Sequence, residues 1–393
     1  MKHRTILMIV AVALGGMLTG CAAQNENKPT AAQQWESTLA GRRLAEVENL
    51  IDRGRLDEAK QTLERSLAAE PELAQAHYLM GRVHFQEDRA HEAQAAFERA
   101  LELDAALDAA WYHLGILAFW DDDFDAALEA YQTAMTLKPG NIEYAVTVVQ
   151  LFVHTEQFDR AEALLEQRLR RQPRNRDLLI AKAELHQRLG QLDQTAFYYD
   201  QILLSNPDDT QVLEALGYCF AAQSQWARAA DVFDRMLELV EEPDYRESIL
   251  STLGQCALNA GRFSQALSTY DRLSTLRRND PEVWLNMAQA ALGVNRIDRA
   301  ADNAQRALSL RPGWTQGYAV LGSAQFMQGR YDDALRSFAH LRNDKELSGY
   351  GWFMTGRCYA QLGQTAKAEA AFEQAGADST MVLRFLKDDD RSL

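Results

Sequence analysis

The sequence predicts an all-α solenoid of about ten stacked helix–turn–helix repeats. An alanine recurs with a step of 34 residues, and glycine, aromatic and proline residues recur in the same register over residues 40–382. A fixed period of this length is typical of stacked helical hairpins. Thr195 replaces the alanine once, and one step is 37 residues long. The recurring alanines are Ala59, Ala93, Ala127, Ala161, Ala229, Ala266, Ala300, Ala334 and Ala368.

The two helices of each repeat are predicted to lie close together. With the recurring alanine taken as position 20, position 8 is usually glycine and position 24 is usually aromatic or leucine. Small residues at positions 8 and 20 allow close helix approach, and large residues at position 24 fill the space between hairpins. Position 8 holds Gly81, Gly115, Gly217, Gly254, Gly322 and Gly356, and position 24 holds Leu63, Phe97, Tyr131, Leu165, Tyr199, Phe233, Tyr270, Phe338 and Phe372.

The turn and the end of each repeat have their own signatures. Glycine at position 15 suits the positive φ of a tight helix–helix turn. Proline at position 32 stops the second helix, because it cannot continue the helical hydrogen bonding. The turn glycines are Gly54, Gly190, Gly261, Gly329 and Gly363, and the prolines are Pro71, Pro139, Pro173, Pro207 and Pro312.

This pattern resembles the tetratricopeptide repeat, W-x2-L-G-x2-Y…A-x3-F…P. The fullest match is Trp111-x2-Leu114-Gly115, followed by Ala127-x3-Tyr131 and Pro139. The resemblance covers about residues 40 to 382 in ten copies. It implies a right-handed superhelical solenoid that binds protein or peptide partners in a concave groove.

The repeats are predicted to form two subarrays. Repeats 1–6 occupy residues 40–246 and repeats 7–10 occupy residues 247–382, because three extra residues near Pro243 predict a kink or a soft boundary. Repeats 4 and 5 lack the position 8 glycine but keep their spacing, so they are retained as repeats. Residues 383–393 are a predicted tail or cap, since a terminal repeat needs its exposed face covered.

Residues 1–20 are predicted to be a lipoprotein signal peptide. A basic start precedes the apolar run Ile6–Leu18, which is shorter than the ~20 residues of a membrane-spanning helix. The run ends in Leu18-Thr19-Gly20-Cys21, which resembles a bacterial lipobox. That resemblance implies fatty acylation at Cys21 and, because Ala22 and not aspartate follows the cysteine, an outer-membrane location facing the periplasm. The polar, non-periodic sequence after Cys21 predicts a flexible tether over residues 21–39. An ordinary signal peptide followed by an unrelated cysteine is the alternative.

Composition argues against nucleic acid as a partner. The chain has 41 Lys and Arg against 56 Asp and Glu, for a net charge of −15. Nucleic-acid binding requires a concentrated positive field, which this composition lacks. Cys219, Cys256 and Cys358 all fall at position 10, a small-residue packing position, and are predicted to be buried and reduced.

No catalytic motif, cofactor site or metal site is predicted. The run Asp121–Asp125 has carboxylates at the first, third and fifth positions of a calcium loop. Ala126 and Gln132, however, replace the required glycine and glutamate. The run is therefore interpreted as a solvated turn whose aspartates cap the next helix. The histidines have no ligand spacing and are interpreted as packing or surface residues.

The resemblance places positions 2, 5, 9, 12 and 13 of each first helix on the concave surface. These positions are rich in aromatic residues in repeats 2 to 4 and again near the end, so we expect a partner-binding groove. Packing within the array is the alternative for the same residues. The predicted groove residues are Tyr78, Arg82, Phe85, Tyr112, Ile116, Phe119, Trp120, His154, Phe353 and Arg357.

The sequence therefore predicts a lipid-anchored, non-enzymatic scaffold that gathers protein partners for an envelope machine. Bacterial tetratricopeptide repeat lipoproteins suggest pilus or secretin assembly, polysaccharide export, or recruitment of wall-remodelling enzymes. A structural spacer between membrane and wall is the first alternative. An enzyme of unrecognised type, using Asp121–Asp125 or groove histidines, is the second.

Overall fold

The structure, a computed structural model, describes residues 43–376. All regular secondary structure in this range is α-helical, as predicted. The chain divides into two compact units between Lys138 and Pro139. No helix within the described range is both long and apolar enough to cross a membrane. The predicted signal peptide (1–20), tether (21–39) and C-terminal tail (383–393) lie outside the described residues.

The described part of unit 1 consists of three helical hairpins. The second helices of the first two hairpins each pack against the first helix of the hairpin that follows. A continuous core of Val47, Leu63, Leu79, Phe97 and their neighbours runs through the hairpins. The helices are α1 (43–52), α2 (Leu56–Ala69), α3 (Ala74–Gln86), α4 (Ala90–Leu103), α5 (Asp108–Trp120) and α6 (Phe124–Leu137).

Unit 2 contains seven further hairpins in its described part, and successive helices pack in the same order. The helices are α7 (Ile142–His154), α8 (Phe158–Arg171), α9 (Arg176–Arg188), α10 (Leu192–Ser205), α11 (Thr210–Ala222), α12 (Trp226–Leu239), α13 (Pro243–Asn259), α14 (Phe263–Leu276), α15 (Pro281–Gly293), α16 (Ile297–Leu310), α17 (Thr315–Met327), α18 (Tyr331–Ala339), α19 (Ser348–Gln361) and α20 (Thr365–Gln374). The prediction of stacked helix–turn–helix repeats is confirmed.

The position 8 glycines lie directly against the position 24 rings. A Cβ atom added to Gly81 would come within 2.5 Å of Phe97, and one added to Gly115 within 2.5 Å of Tyr131. Real Cβ atoms do not approach a ring this closely. Glycine at these positions therefore allows the two helices of the hairpin to keep their separation. The predicted reason for this glycine is confirmed.

Position 15 is left-handed in every repeat of the described range. The five predicted turn glycines all have φ between 70° and 75°. The other five repeats place larger residues in the same conformation, with φ of 57° to 59°: Asp88, Asp122, Glu156, Ser224 and Asn295. The repeat geometry therefore dictates this turn even where the sequence does not supply the most suitable residue.

The three extra residues before repeat 7 lengthen a helix. They extend α13 to 17 residues, with Pro243 in its first turn and the Glu242 carboxylate accepting a hydrogen bond from the Tyr245 backbone N–H. Arg246 donates to the Leu237 carbonyl oxygen at 2.7 Å, which satisfies the end of α12. The predicted soft boundary between residues 246 and 247 thus falls inside α13, and the division between compact units lies at residues 138 and 139.

Cys219, Cys256 and Cys358 are buried free thiols, as predicted. Burial raises the pKa of all three thiols above the ordinary value, to about 12 for Cys358. A thiol with a raised pKa is protonated at neutral pH and therefore a weak nucleophile. These cysteines serve packing, because each takes a small-residue position on a first helix.

Candidate partner-binding surface

The first helices of unit 1 carry a cluster of aromatic and apolar residues, here called the aromatic face. The 34-residue period makes α3 and α5 the first helices of successive hairpins, and ring contacts join the two helices. The aromatic face consists of Tyr78, Arg82 and Phe85 on α3 and of Tyr112, Ile116, Phe119 and Trp120 on α5. All seven are predicted groove residues.

Phe85 and Trp120 form the exposed edge of the aromatic face. Their rings stack with centroids 4.7 Å apart and an interplanar angle of 14°. Trp120, the last residue of α5, remains 57% exposed, whereas Phe85 is partly buried beneath it. A large exposed aromatic side chain held in one orientation is characteristic of residues that contact a partner.

Arg82 links two first helices through an ion pair. Its Nη2 atom donates to Asp52 Oδ1 of α1 at 2.9 Å. Position 9 of repeat 2 is therefore joined to the end of the preceding first helix. Since Asp52 balances the guanidinium charge, Arg82 is not a free cation for binding an anionic ligand.

A partly buried histidine, His113, supports the aromatic face from behind. Its ring contacts those of Tyr78, Phe85 and Tyr112 at centroid distances of 5.5 to 5.7 Å. Burial lowers the pKa of His113, and the nearby Arg82 charge lowers it further. Nδ1 donates to the Ala109 carbonyl oxygen at 2.8 Å, so the neutral Nδ1–H tautomer fits this position. Sequence reasoning placed His113 only among the packing or surface histidines.

The remaining members of the aromatic face are less exposed. Tyr78 is only 6% exposed and packs against Phe97, so it supports the surface and offers little area for contact. Tyr112 is partly buried against Tyr131, with centroids 5.6 Å apart. Ile116 and Phe119 are also partly buried, and the Phe119 ring lies 5.6 Å from the ring of Phe124. Some residues of the aromatic face, such as Tyr78, therefore pack within the array, whereas Trp120 is exposed to solvent.

The first three residues of the Asp121–Asp125 run form the turn between α5 and α6, and Asp125 lies in the first turn of α6. Asp123 is the N-cap of α6, where its Oδ1 atom accepts from the Ala126 backbone N–H at 3.1 Å. The predicted capping role is therefore confirmed for Asp123. Within residues 43–376, no three His, Cys, Asp or Glu side chains are grouped so that they could hold a metal ion.

Unit 2 carries the other predicted groove residues. His154 is the exposed last residue of α7. Phe353 is partly buried against Phe372, at a centroid distance of 5.7 Å, and the Arg357 guanidinium lies 4.7 Å from the centroid of the Phe326 ring.

Sequence reasoning missed Tyr218, at position 9 of repeat 6. Its side chain is 50% exposed on α11, and its ring lies edge-on to that of Phe233. Its position in the repeat was sufficient to identify it, because position 9 belongs to the predicted groove positions. No other groove position of repeat 6 carries an aromatic residue, so Tyr218 forms no aromatic cluster in the sequence.

Comparison with protein families identifies the repeats. Two models described as "Tetratricopeptide repeat" match the chain, one over residues 50–118, 118–177, 153–217 and 220–292 and the other over residues 285–345 and 319–381. The predicted resemblance is confirmed over most of the chain.

Relatives of known name match parts of the chain. "Lipopolysaccharide assembly protein B" of Escherichia coli (strain K12) is 25% identical over 182 residues, which are 44% of this chain and 46% of that protein. "Small glutamine-rich tetratricopeptide repeat-containing protein 2" of Mycosarcoma maydis is 30% identical over 89 residues, or 23% of this chain and 25% of that protein. The chain spans less than half the length of each relative. A tetratricopeptide repeat protein structure from Parabacteroides merdae matches 71% of this chain and 97% of its own, with 16% identity and a TM-score of 0.38.

Proposed function

The chain belongs to the tetratricopeptide repeat family, and we propose that it is a non-catalytic scaffold that binds a protein partner on the aromatic face of unit 1. The observation that carries this proposal is the stack of Phe85 and Trp120. Trp120 combines a fixed orientation with an exposed ring, which gives a partner a large contact area at a small cost in side-chain entropy.

The mechanism follows from the repeat architecture. The first helices are held in register by the Gly–ring contacts behind them and by the Arg82–Asp52 ion pair between them. The surface is therefore already formed before a partner arrives, and binding does not have to order it. A scaffold of this kind acts by bringing partners together and has no chemical step of its own.

We place this scaffold in the bacterial cell envelope, anchored by lipid at Cys21 and facing the periplasm from the outer membrane. The lipobox-like sequence before Cys21 supports the anchor. The partial similarity to a lipopolysaccharide assembly protein supports a role in building the envelope. Pilus or secretion machinery and polysaccharide export machinery are the alternative envelope assemblies that such a scaffold would serve.

Site-specific photo-crosslinking in cells tests the binding surface. Gln86 is exposed beside Phe85 at the end of α3, and Ala95 is exposed on the second helix α4 of the same hairpin. With a photo-reactive amino acid at position 86, we expect a discrete protein adduct that is absent from position 95 and lost when Trp120→Ala is added. Equal adducts at both positions, or none at position 86, would favour a structural spacer over a binding scaffold.

Membrane fractionation tests the anchor separately. Cys21→Ser removes the thiol that receives lipid, so the variant is expected to leave the membrane fraction and to lose incorporation of labelled palmitate. Cys256→Ser is the matched control, because Cys256 is a buried thiol of the repeats. If Cys21→Ser stays on the membrane as firmly as the control, the lipid anchor is wrong.

A further inference from the structure

Unit 1 is far more acidic than unit 2. Residues 43–138 contain nine Lys and Arg against twenty Asp and Glu, whereas residues 139–376 contain 25 and 30. The excess is therefore concentrated in the smaller unit, which also carries the aromatic face. A field of one sign around an apolar surface selects a partner of the opposite sign.

The acidic residues border the exposed edge of the aromatic face. Asp88 lies in the turn just after α3, three residues beyond Phe85, and Asp121 and Asp122 directly follow Trp120. Asp88 and Asp122 occupy the same repeat position and share the left-handed backbone, with φ of 57° and 58°. Successive repeats therefore present matching carboxylates beside successive aromatic rings.

The carboxylates next to the stack are not neutralised from within the described chain. Among residues 43–376, Asp88, Asp121 and Asp122 are exposed and have no ion-pair partner. Arg82 of the aromatic face is already paired with Asp52, and Arg89, which follows Asp88, is paired with Glu87 and Glu92. The exposed ring of Trp120 thus stands among free negative charges.

An indole face bordered by carboxylates favours a cation. The negative face of the ring attracts an ammonium or guanidinium group, Trp being the best side chain for this contact. The flanking carboxylates add direct charge attraction. The same charges repel an acidic peptide, and Phe85, Ile116 and Phe119 offer apolar contact beside the cation.

We infer that the aromatic face of unit 1 binds a cationic amphipathic segment of its partner, with a Lys or Arg side chain packed on Trp120 between the acidic turns that follow α3 and α5. This inference rests on the proposed function and specifies the chemistry of the partner. The segment carries a large apolar side chain next to its cation, because the face provides both kinds of contact.

Titration of the full chain with fluorescent synthetic peptides tests the inference. The first peptide is an amphipathic helix of leucine and lysine, and the second has the same leucines with glutamate in place of every lysine. We expect the lysine peptide to bind at least tenfold more tightly than the glutamate peptide. We also expect its affinity to fall as salt is raised, since exposed charges are screened beyond ~10 Å at 0.1 M salt.

Variants locate the binding. Trp120→Ala is expected to weaken lysine-peptide binding about tenfold, the size of a ~1.4 kcal/mol contact, whereas Phe197→Ala, which removes a half-exposed ring of α10, leaves it unchanged. The pair Asp88→Asn and Asp122→Asn should weaken binding several-fold, because asparagine accepts the same positive φ without the charge. The pair Glu241→Gln and Asp244→Asn removes equal charge from exposed residues of unit 2 and should have little effect.

The outcomes separate this inference from the proposed function. Equal affinity for both peptides, or lysine-peptide binding that Trp120→Ala does not change, overturns the inference. If position 86 still captures a protein in cells, the scaffold function stands with a partner of different chemistry. If position 86 captures nothing, the proposed function fails regardless of the peptide result.

Discussion

The indole of Trp120 lies nearly parallel to the ring of Phe85, with centroids 4.7 Å apart, although the two residues lie in the last turns of the first helices of successive hairpins. A stacked pair contributes about 0.5–1.5 kcal/mol beyond its buried area. Most of the Trp120 ring, however, remains in solvent. Its role in binding and its role in stability can therefore be separated.

Trp120→Ala is expected to lower the free energy of unfolding by about 1 kcal/mol, whereas Phe97→Ala, in the core of the same unit, costs about 3–5 kcal/mol. Denaturant unfolding followed by circular dichroism measures both values. Partner capture from position 86 should disappear in Trp120→Ala while the helical signal is retained. A Trp120→Ala loss as large as that of Phe97→Ala would identify Trp120 as a core residue.

Gly115→Ala tests the close contact within the third hairpin. The added methyl group would lie 2.5 Å from Tyr131, and such overpacking costs about 1–3 kcal/mol. Gly349→Ala is the control, because its nearest neighbour would be 3.9 Å away in the first turn of α19. Urea unfolding should show a loss for Gly115→Ala and none for Gly349→Ala. Equal effects would mean that helix propensity alone decides both.

Glu156→Gly is predicted to stabilise unit 2. Glu156 occupies the left-handed turn position with φ of 58°, a conformation that costs a residue with a Cβ atom about 1–2 kcal/mol. Glycine removes most of this strain. The greater conformational entropy that glycine gives the unfolded chain offsets about 0.5–1 kcal/mol of the gain. The opposite change one repeat later, Gly190→Ala at φ of 71°, is expected to destabilise the unit. Thermal unfolding should move in opposite directions for the two variants.

Lys182 of repeat 5 pairs with Glu162 on α8, the second helix of repeat 4. The lysine is 3% exposed and stands at position 7, which is apolar in most repeats. Lys182→Met leaves the Glu162 carboxylate without its partner and is expected to lower the free energy of unfolding by about 2 kcal/mol. This loss is smaller than that for a fully buried pair, because the Glu162 side chain is 35% exposed. Adding Glu162→Leu should recover most of the loss in a double-mutant cycle of urea unfolding. Additive losses would contradict this pairing.

The lowered pKa of His113 predicts that the stability of unit 1 depends on pH. Its pKa is lowered in the folded protein, so the unfolded chain binds more protons as the pH falls below the ordinary histidine value. Its stabilising contribution is therefore complete above about pH 6.5 and is lost on acidification. The difference in unfolding free energy between pH 7 and pH 5 should be smaller in His113→Phe than in the unaltered chain. An identical difference in both would show that other groups cause the pH dependence.

The repeat architecture could be predicted from sequence because each feature recurs. One glycine facing one ring is weak information, but six such pairs at the same two positions define the packing of a hairpin. The same redundancy explains why Glu156 and Ser224 adopt the left-handed turn without a glycine. Neighbouring hairpins fix the geometry, and the local residue accommodates to it.

Features that occur once could not be predicted in this way. From the sequence alone, Lys182 would be assigned to the surface, and only the structure shows that Glu162 of α8 pairs with it. His113 reads as one histidine among eight, and only the packing of four rings around it reveals its environment. The exposure of Trp120 and the burial of Tyr78 likewise depend on how far each position lies from the neighbouring helix. The partner-binding residues of the groove therefore remain a prediction.

Hydrogen–deuterium exchange of the full chain, with and without the partner captured from position 86, tests the proposed binding surface most directly. Slower exchange is predicted at the C-terminal ends of α3 and α5 and in the turns that follow them, with no change in α10. Protection confined to the second helices α2, α4 and α6, or to unit 2, would contradict the assignment of the aromatic face as the binding surface.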